Sequence, residues 1–180
     1  MKKSVKKLLF ALVLLGTQLL QAQFFKENFY YEGEIGCISS FFVTNAEGET
    51  KIFSVGGLSF RGGLGVHDGE NIVFLGIHSG IEGNFRHNTG ILPLYLNSKV
   101  AIPVSEKGRL IFSFGYGKSF HIGHENLKGY LRKYTIAVST ITKKDNMDSF
   151  FIEINNHGFN FPDNGIRATT LNFGYTYTFL

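Results

Sequence analysis

From Phe29 onward the chain alternates: large apolar residues recur at every second position, in segments broken by short polar clusters. The last segment, "TLNFGYTYTFL", sets Leu171, Phe173, Tyr175, Tyr177 and Phe179 against Thr170, Asn172, Gly174, Thr176 and Thr178. Successive side chains on an extended strand point to opposite faces, so this is a strand with one greasy and one polar face. A helix would need apolar residues three and four apart, and no such stretch follows the first residues. The 22 Gly interrupt nearly every window that a helix would need.

The pattern predicts eight strands, over Phe29–Phe42, Ile52–Val66, Asn71–Asn84, Ile91–Pro103, Leu110–Phe120, Lys128–Thr142, Ser149–Phe161 and Arg167–Leu180. They are joined by "TNAEGET", "HDGE", "RHNTG", "SEKG", "HIGHEN", "KKDNMD" and "PDNG", all short and rich in turn formers or charge. Links this short join antiparallel neighbours, which makes an up-and-down meander. The Gly pairs of "SVGGLSFRGGLG" mark a candidate bulge.

The first residues read differently. "MKKSVKK" is basic, "LLFALVLLGTQLL" is apolar but shorter than the roughly 20 residues of a membrane helix, and Ala22 offers a small residue for cleavage. Residues 1–22 are therefore expected to be a secretory signal peptide and 23–180 a single domain. Removing Lys2, Lys3, Lys6 and Lys7 from the 18 basic residues leaves 14 against 14 acids. A neutral mature chain gives no reason to expect nucleic acid as a partner. One cysteine, Cys37, excludes an internal disulfide framework.

Two architectures satisfy an eight-stranded meander. A soluble barrel turns its apolar face inward around a greasy ligand. A membrane barrel turns that face outward to lipid. The polar faces decide between them. They carry Ser, Thr, Gly, Ala and Asn with few charges, unlike a water-facing sheet rich in Lys and Glu. The charges nearly balance: Glu32, Glu34, Glu82 and Glu153 against Arg61, Lys99 and Lys133, with His78 beside them. An eight-stranded barrel has room only for side chains, so small residues and matched charges suit its lumen. The expected fold is all-β: an eight-stranded antiparallel up-and-down transmembrane β-barrel, closed by pairing its last strand with its first so that no edge faces lipid. A soluble periplasmic barrel binding an apolar ligand is the alternative. Aromatic residues near the strand ends suggest two girdles: Tyr30, Tyr31, Phe150 and Phe179 at one rim, and Phe41, Phe42, Phe85, Phe120 and Tyr130 at the other.

The leader, the eight amphipathic strands and the final "LNFGYTYTF" resemble small outer-membrane barrels of the OmpA/OmpX type. More narrowly, "GGLSFRGGLGV", "GIHSGIEGN", "LPLYL" and "FSFGYGKSF" are similar to the OmpA-like outer-membrane β-barrel domain of Gram-negative bacteria. The resemblance implies a monomer in the outer membrane, in contact with its lipid and delivered by periplasmic chaperones and the barrel assembly machinery. It also implies a C-terminal assembly signal on Tyr175, Tyr177 and Phe179. The family's last residue is typically aromatic, whereas here Leu180 follows Phe179, and Leu180 is expected to be a tolerated extra residue. An even number of strands puts both termini on one side, the periplasm, with "HDGE", "SEKG" and "KKDNMD" beside them.

No catalytic, cofactor or metal site emerges from the motifs. "GYGKS" lacks the first Gly of a phosphate loop and lies inside a strand. His121, His124 and Glu125 fall short of four zinc ligands. Cys37 has no base near it in sequence. His78, Glu82 and Ser79 form no triad, because Ser79 falls on the opposite face of its strand. The expected protein is thus not an enzyme, and its lumenal charges form a filling network. A lipid-modifying enzyme would need a nucleophile and a base on one face.

Overall fold

The computed structural model describes residues 28–44, 50–84, 89–122, 128–159 and 166–180. The expected leader and the four links at the far end of the barrel fall wholly or mostly outside them. So do His124, Glu125 and Phe85, and nothing is described of the side chains of Phe41 and Phe42.

Eight strands form: β1 (Phe29–Thr44), β2 (Thr50–His67), β3 (Val73–Asn84), β4 (Thr89–Pro103), β5 (Gly108–Ile122), β6 (Lys128–Ile141), β7 (Met147–Phe159) and β8 (Ile166–Phe179). Each pairs antiparallel with its neighbour in sequence, and β8 returns to β1, closing the barrel. Closure satisfies the backbone groups that an open sheet would leave at its edges.

The connections beside the termini are tight. In the β2–β3 turn, Asn71 takes a left-handed φ of 57°, and the Asp68 carboxylate accepts from Ile72 N at 2.7 Å and Val73 N at 3.1 Å. Asn is one of the residues that tolerates that conformation. In the β6–β7 turn, Asp145 does the same with φ 61°. That turn is shorter than "KKDNMD" implies, since Met147 and Asp148 already belong to β7. His121, expected in a loop, likewise belongs to β5.

The bulge falls in the first Gly pair. Ile38 pairs with Gly57 and Ser39 with Val55, so Gly56 stands unopposed. The alternation of β1 slips there, and Ile38 and Ser39 are both buried. A gap in the β3–β4 ladder lies between Ser79↔Leu94 and Glu82↔Ile91, around Pro93, which has no N–H to donate. The Ser79 hydroxyl donates to the Pro93 carbonyl at 2.8 Å.

The barrel is inverted relative to a soluble protein. Leu75, Ile77, Leu94, Leu96, Phe112, Phe114, Ile136, Val138, Ile152 and Phe173 all lie on the outside and are exposed. Inside are charges, amides, hydroxyls and a cluster of Tyr30, Phe74, Ala101, Ile111, Ala137, Met147 and Phe151 near the termini. Tyr30 therefore corrects the rim expectation: it is fully buried in the lumen, while Tyr31, Phe150 and Phe179 face outward. Glycine makes room for the Phe151 ring. A methyl group on Gly36 would sit 2.8 Å from Ser59 Oγ and 3.3 Å from the Phe151 ring.

Candidate functional site: the lumenal charge network

Strict alternation on six strands delivers the network. β1 supplies Glu32 and Glu34, β2 Arg61, β3 His78 and Glu82, β4 Lys99, β6 Lys133 and β7 Glu153, and all are buried. The structure brings these eight residues together in linked groups.

At the centre, Arg61 forms ion pairs with Glu34, with Glu82 at 3.3 Å and with Glu153 at 2.6 Å. Lys133 lies 3.0 Å from Glu34 and 2.6 Å from Glu153 and donates to the Tyr95 hydroxyl at 3.2 Å. Glu153 accepts the most bonds: besides Arg61 and Lys133 it accepts from Asn155 at 2.7 Å, Asn172 at 2.9 Å and Thr135 at 3.2 Å. A buried carboxylate is tolerable only when its lone pairs are satisfied in this way.

Toward the termini, Lys99 pairs with Glu32, which also accepts from Thr178 at 2.7 Å. His78 lies 3.7 Å from Glu32 and 3.3 Å from the Tyr30 hydroxyl. The Lys99 ammonium sits 5.1 Å from the centre of the Tyr30 ring and 5.4 Å from that of Phe74, within cation–π range. The charged and apolar parts of the lumen meet at these contacts.

Toward the far end, His157 Nε2 lies 3.2 Å from Glu82, and His157 Nδ1 lies 3.0 Å from Ser119 Oγ. His157 bridges the two: its Nδ1 shares a hydrogen bond with the Ser119 hydroxyl, and its Nε2 lies within ion-pair distance of Glu82. The triad absent from His78, Glu82 and Ser79 is thus assembled from three lumenal faces as Ser119, His157 and Glu82. This differs from the sequence expectation of no nucleophile and base on one face. The Ser119 side chain is fully buried. Ser119, His157 and Glu82 thus form a buried polar link between β5, β7 and β3.

The residues that sequence reasoning missed have a common signature. Tyr95, Asn97, Asn155 and His157 stand in phase with the predicted lumenal charges on their strands and are buried. Among the described residues, a cavity of about 20 Å³ remains between Glu32, Glu34, Lys99, Lys133, Ser113 and Phe151. That is about the space of one water molecule.

The C-terminal strand places Thr170, Asn172, Thr176 and Thr178 in the lumen, with Phe173 and Phe179 exposed outside. Tyr177 packs edge-on against Phe179, with ring centres 4.5 Å apart. Tyr175 packs against Phe150 and donates its hydroxyl to Asp148, next to the β6–β7 turn. Leu180 is not surplus. It packs partly buried against the lumenal apolar cluster, and its N–H donates to Asn146 Oδ1 at 3.2 Å.

An apolar exterior around a charged, packed interior, closed without an edge, is the architecture of a transmembrane β-barrel. Comparison with solved structures agrees. The barrel matches Neisserial surface protein A, NspA, with a TM-score of 0.61 at 12% identity, covering 82% of this chain and 95% of that one. Weaker matches are Ail, the attachment invasion locus protein of Yersinia pestis, and the outer membrane protein AlkL. Ail has TM-score 0.46 at 13% identity, covering 85% and 99% of the two chains. AlkL has TM-score 0.45 at 9% identity, covering 85% and 90%. No protein-family model and no curated protein sequence matches the chain. The chain has the fold of the small eight-stranded outer-membrane barrels.

Proposed function

We propose that this chain is an integral outer-membrane protein with a structural or surface-interaction role, and that its lumen is filled by side chains rather than open as a pore. One observation carries the reading: Arg61, Lys99 and Lys133 are each tied to carboxylates that cross the lumen, inside a wall whose outer face is apolar. Such a wall has a solvent only in lipid, and such a lumen leaves no path wide enough for solutes. Both termini and the three tight turns face the periplasm, and the four other links face outward. The protein works as a monomer, delivered by chaperones and the barrel assembly machinery, with Tyr175, Tyr177 and Phe179 as the assembly signal. Against the soluble, apolar-ligand alternative stand the outward apolar wall and, among the described residues, a small lumenal cavity lined in part by Glu32, Glu34, Lys99 and Lys133.

Two measurements test this. The folded protein is expected in the detergent-extracted outer-membrane fraction, migrating faster on a gel before boiling than after. Recovery in the soluble periplasmic fraction with no heat shift would refute membrane residence. In planar bilayers the protein is expected to show no large, steady conductance, and a porin-like current would refute the filled lumen.

A further inference from the structure

The outer wall carries cations that the network does not use. On β5 the outward residues run Phe112, Phe114, Tyr116, Lys118 and Phe120, and on β6 they run Val138, Ile136, Tyr134, Arg132, Tyr130 and Lys128. Register places Tyr116 beside Arg132, Lys118 beside Tyr130 and Phe120 beside Lys128. The result is a checkerboard of base and ring at the end of the barrel away from the termini. Lys118, Lys128 and Arg132 are all exposed.

These cations differ from the lumenal ones in having no carboxylate. Among the described residues none of the three makes an ion pair, whereas each lumenal Arg or Lys has at least one. Arg132 lies 5.2 Å from the centre of the Tyr130 ring, which is itself laid over Gly158. The ring supports the guanidinium on one side, and Arg132 stays exposed. Below the patch the wall is apolar, through Phe112, Phe114, Tyr134 and Ile136. Beside it, Asn156 pairs with Arg132, and Thr169 donates to Asn156 at 2.7 Å, so the apolar band ends at this level on β7 and β8. The cations therefore stand where a bilayer turns from chain to headgroup. Long basic side chains reach the headgroups from such a position and meet their charge there.

Given membrane residence as proposed above, we propose that Lys118, Lys128 and Arg132 form a binding site for the anionic phosphate headgroup of a lipid in the leaflet at the loop end, with Tyr116 and Tyr130 seating its upper chain and glycerol region. Charge complementarity selects the occupant: unpaired bases above an apolar wall fit a lipid that presents phosphate over hydrocarbon.

The test uses the full folded chain in phosphatidylcholine vesicles, with spin-labelled phosphatidylglycerol and spin-labelled phosphatidylcholine compared as the motionally restricted lipid. The wild type is expected to prefer the anionic label by roughly fivefold per basic residue, before screening. The variant K118Q/K128Q/R132Q is expected to fall to near parity. K143Q/K144Q, in the turn at the other end, is expected to keep the preference. If the triple variant shows no heat shift, R132Q and K118Q singly are each expected to lose roughly fivefold. Parity in the inserted wild type, an undiminished preference in the substituted proteins, or an equal loss in K143Q/K144Q would overturn the site. Inorganic phosphate that abolishes the preference, where chloride of equal ionic strength does not, would assign the patch to a free anion and overturn the lipid. No restricted lipid of either kind with the wild type would sink membrane residence itself, a result distinct from insertion without preference.

Discussion

Replacing Arg61 with methionine removes the one cation that joins Glu34, Glu82 and Glu153. The described lumen holds four carboxylates, Glu32, Glu34, Glu82 and Glu153, against Arg61, Lys99 and Lys133, so the loss leaves four negative groups facing two lysines. Taking one partner from a buried pair costs about 3–5 kcal/mol, because the other charge remains desolvated. Three carboxylates are affected, but each keeps a second partner: Lys133 for Glu34 and Glu153, and His157 for Glu82. The expected cost therefore stays within that range instead of multiplying. Arg61→Met/Glu153→Gln removes charge from both sides, and its cost is expected to fall short of the sum of the single costs by roughly 0.5–3 kcal/mol. Reversible urea unfolding from lipid vesicles, followed by the heat-shifted gel band, reads all four proteins of the cycle. A cost for Arg61→Met below about 0.5 kcal/mol, the level of an ordinary surface change, would refute a buried network. So would strict additivity in the cycle.

Three further outcomes are expected. Ile152→Arg, at the centre of the outward run Phe150, Ile152 and Ile154, should cost about 2–4 kcal/mol in the same unfolding assay, and Tyr175→Arg less, because its hydroxyl already reaches Asp148 near the rim. Phe151→Ala should cost about 3–5 kcal/mol by opening a cavity in the lumenal cluster, without creating a conductance, since the ion pairs above it remain. Deleting Phe179 and Leu180 together should reduce insertion strongly in an assembly assay. Deleting Leu180 alone should leave assembly intact but lower the urea midpoint, because it removes only the contact with the cluster and the bond to Asn146.

The strands were legible because lipid and lumen impose opposite chemistries on successive residues. Leu94, Tyr95, Leu96 and Asn97 alternate outside and inside as the period of two requires. What alternation leaves open is which residues meet across the lumen. Arg61 and Glu153 are 92 residues apart, and their contact depends on the stagger of every strand between them. Apolar residues in lumenal phase were also hidden. Tyr30, Phe74 and Phe151 follow the inward period but carry outward chemistry, because the lumen near the termini is closed by packing instead of by charge. His157 was visible on the polar face of β7, yet its partners Glu82 and Ser119 come from β3 and β5. The basic patch on the outer wall was in the sequence too. Only the register that sets Lys118 beside Tyr130 makes it one surface.

The central claim is that the apolar face of this barrel lies in lipid, and the chain carries its own probe. Cys37, the single cysteine, is exposed on the outer face of β1 between Leu58 of β2 and Phe173 of β8. A nitroxide attached there, in the folded protein in phosphatidylcholine vesicles, reports its solvent by paramagnetic relaxation. The account predicts strong relaxation by oxygen, which concentrates in hydrocarbon, and weak relaxation by a water-soluble nickel chelate. The reverse order would put Cys37 in water and contradict the inverted barrel.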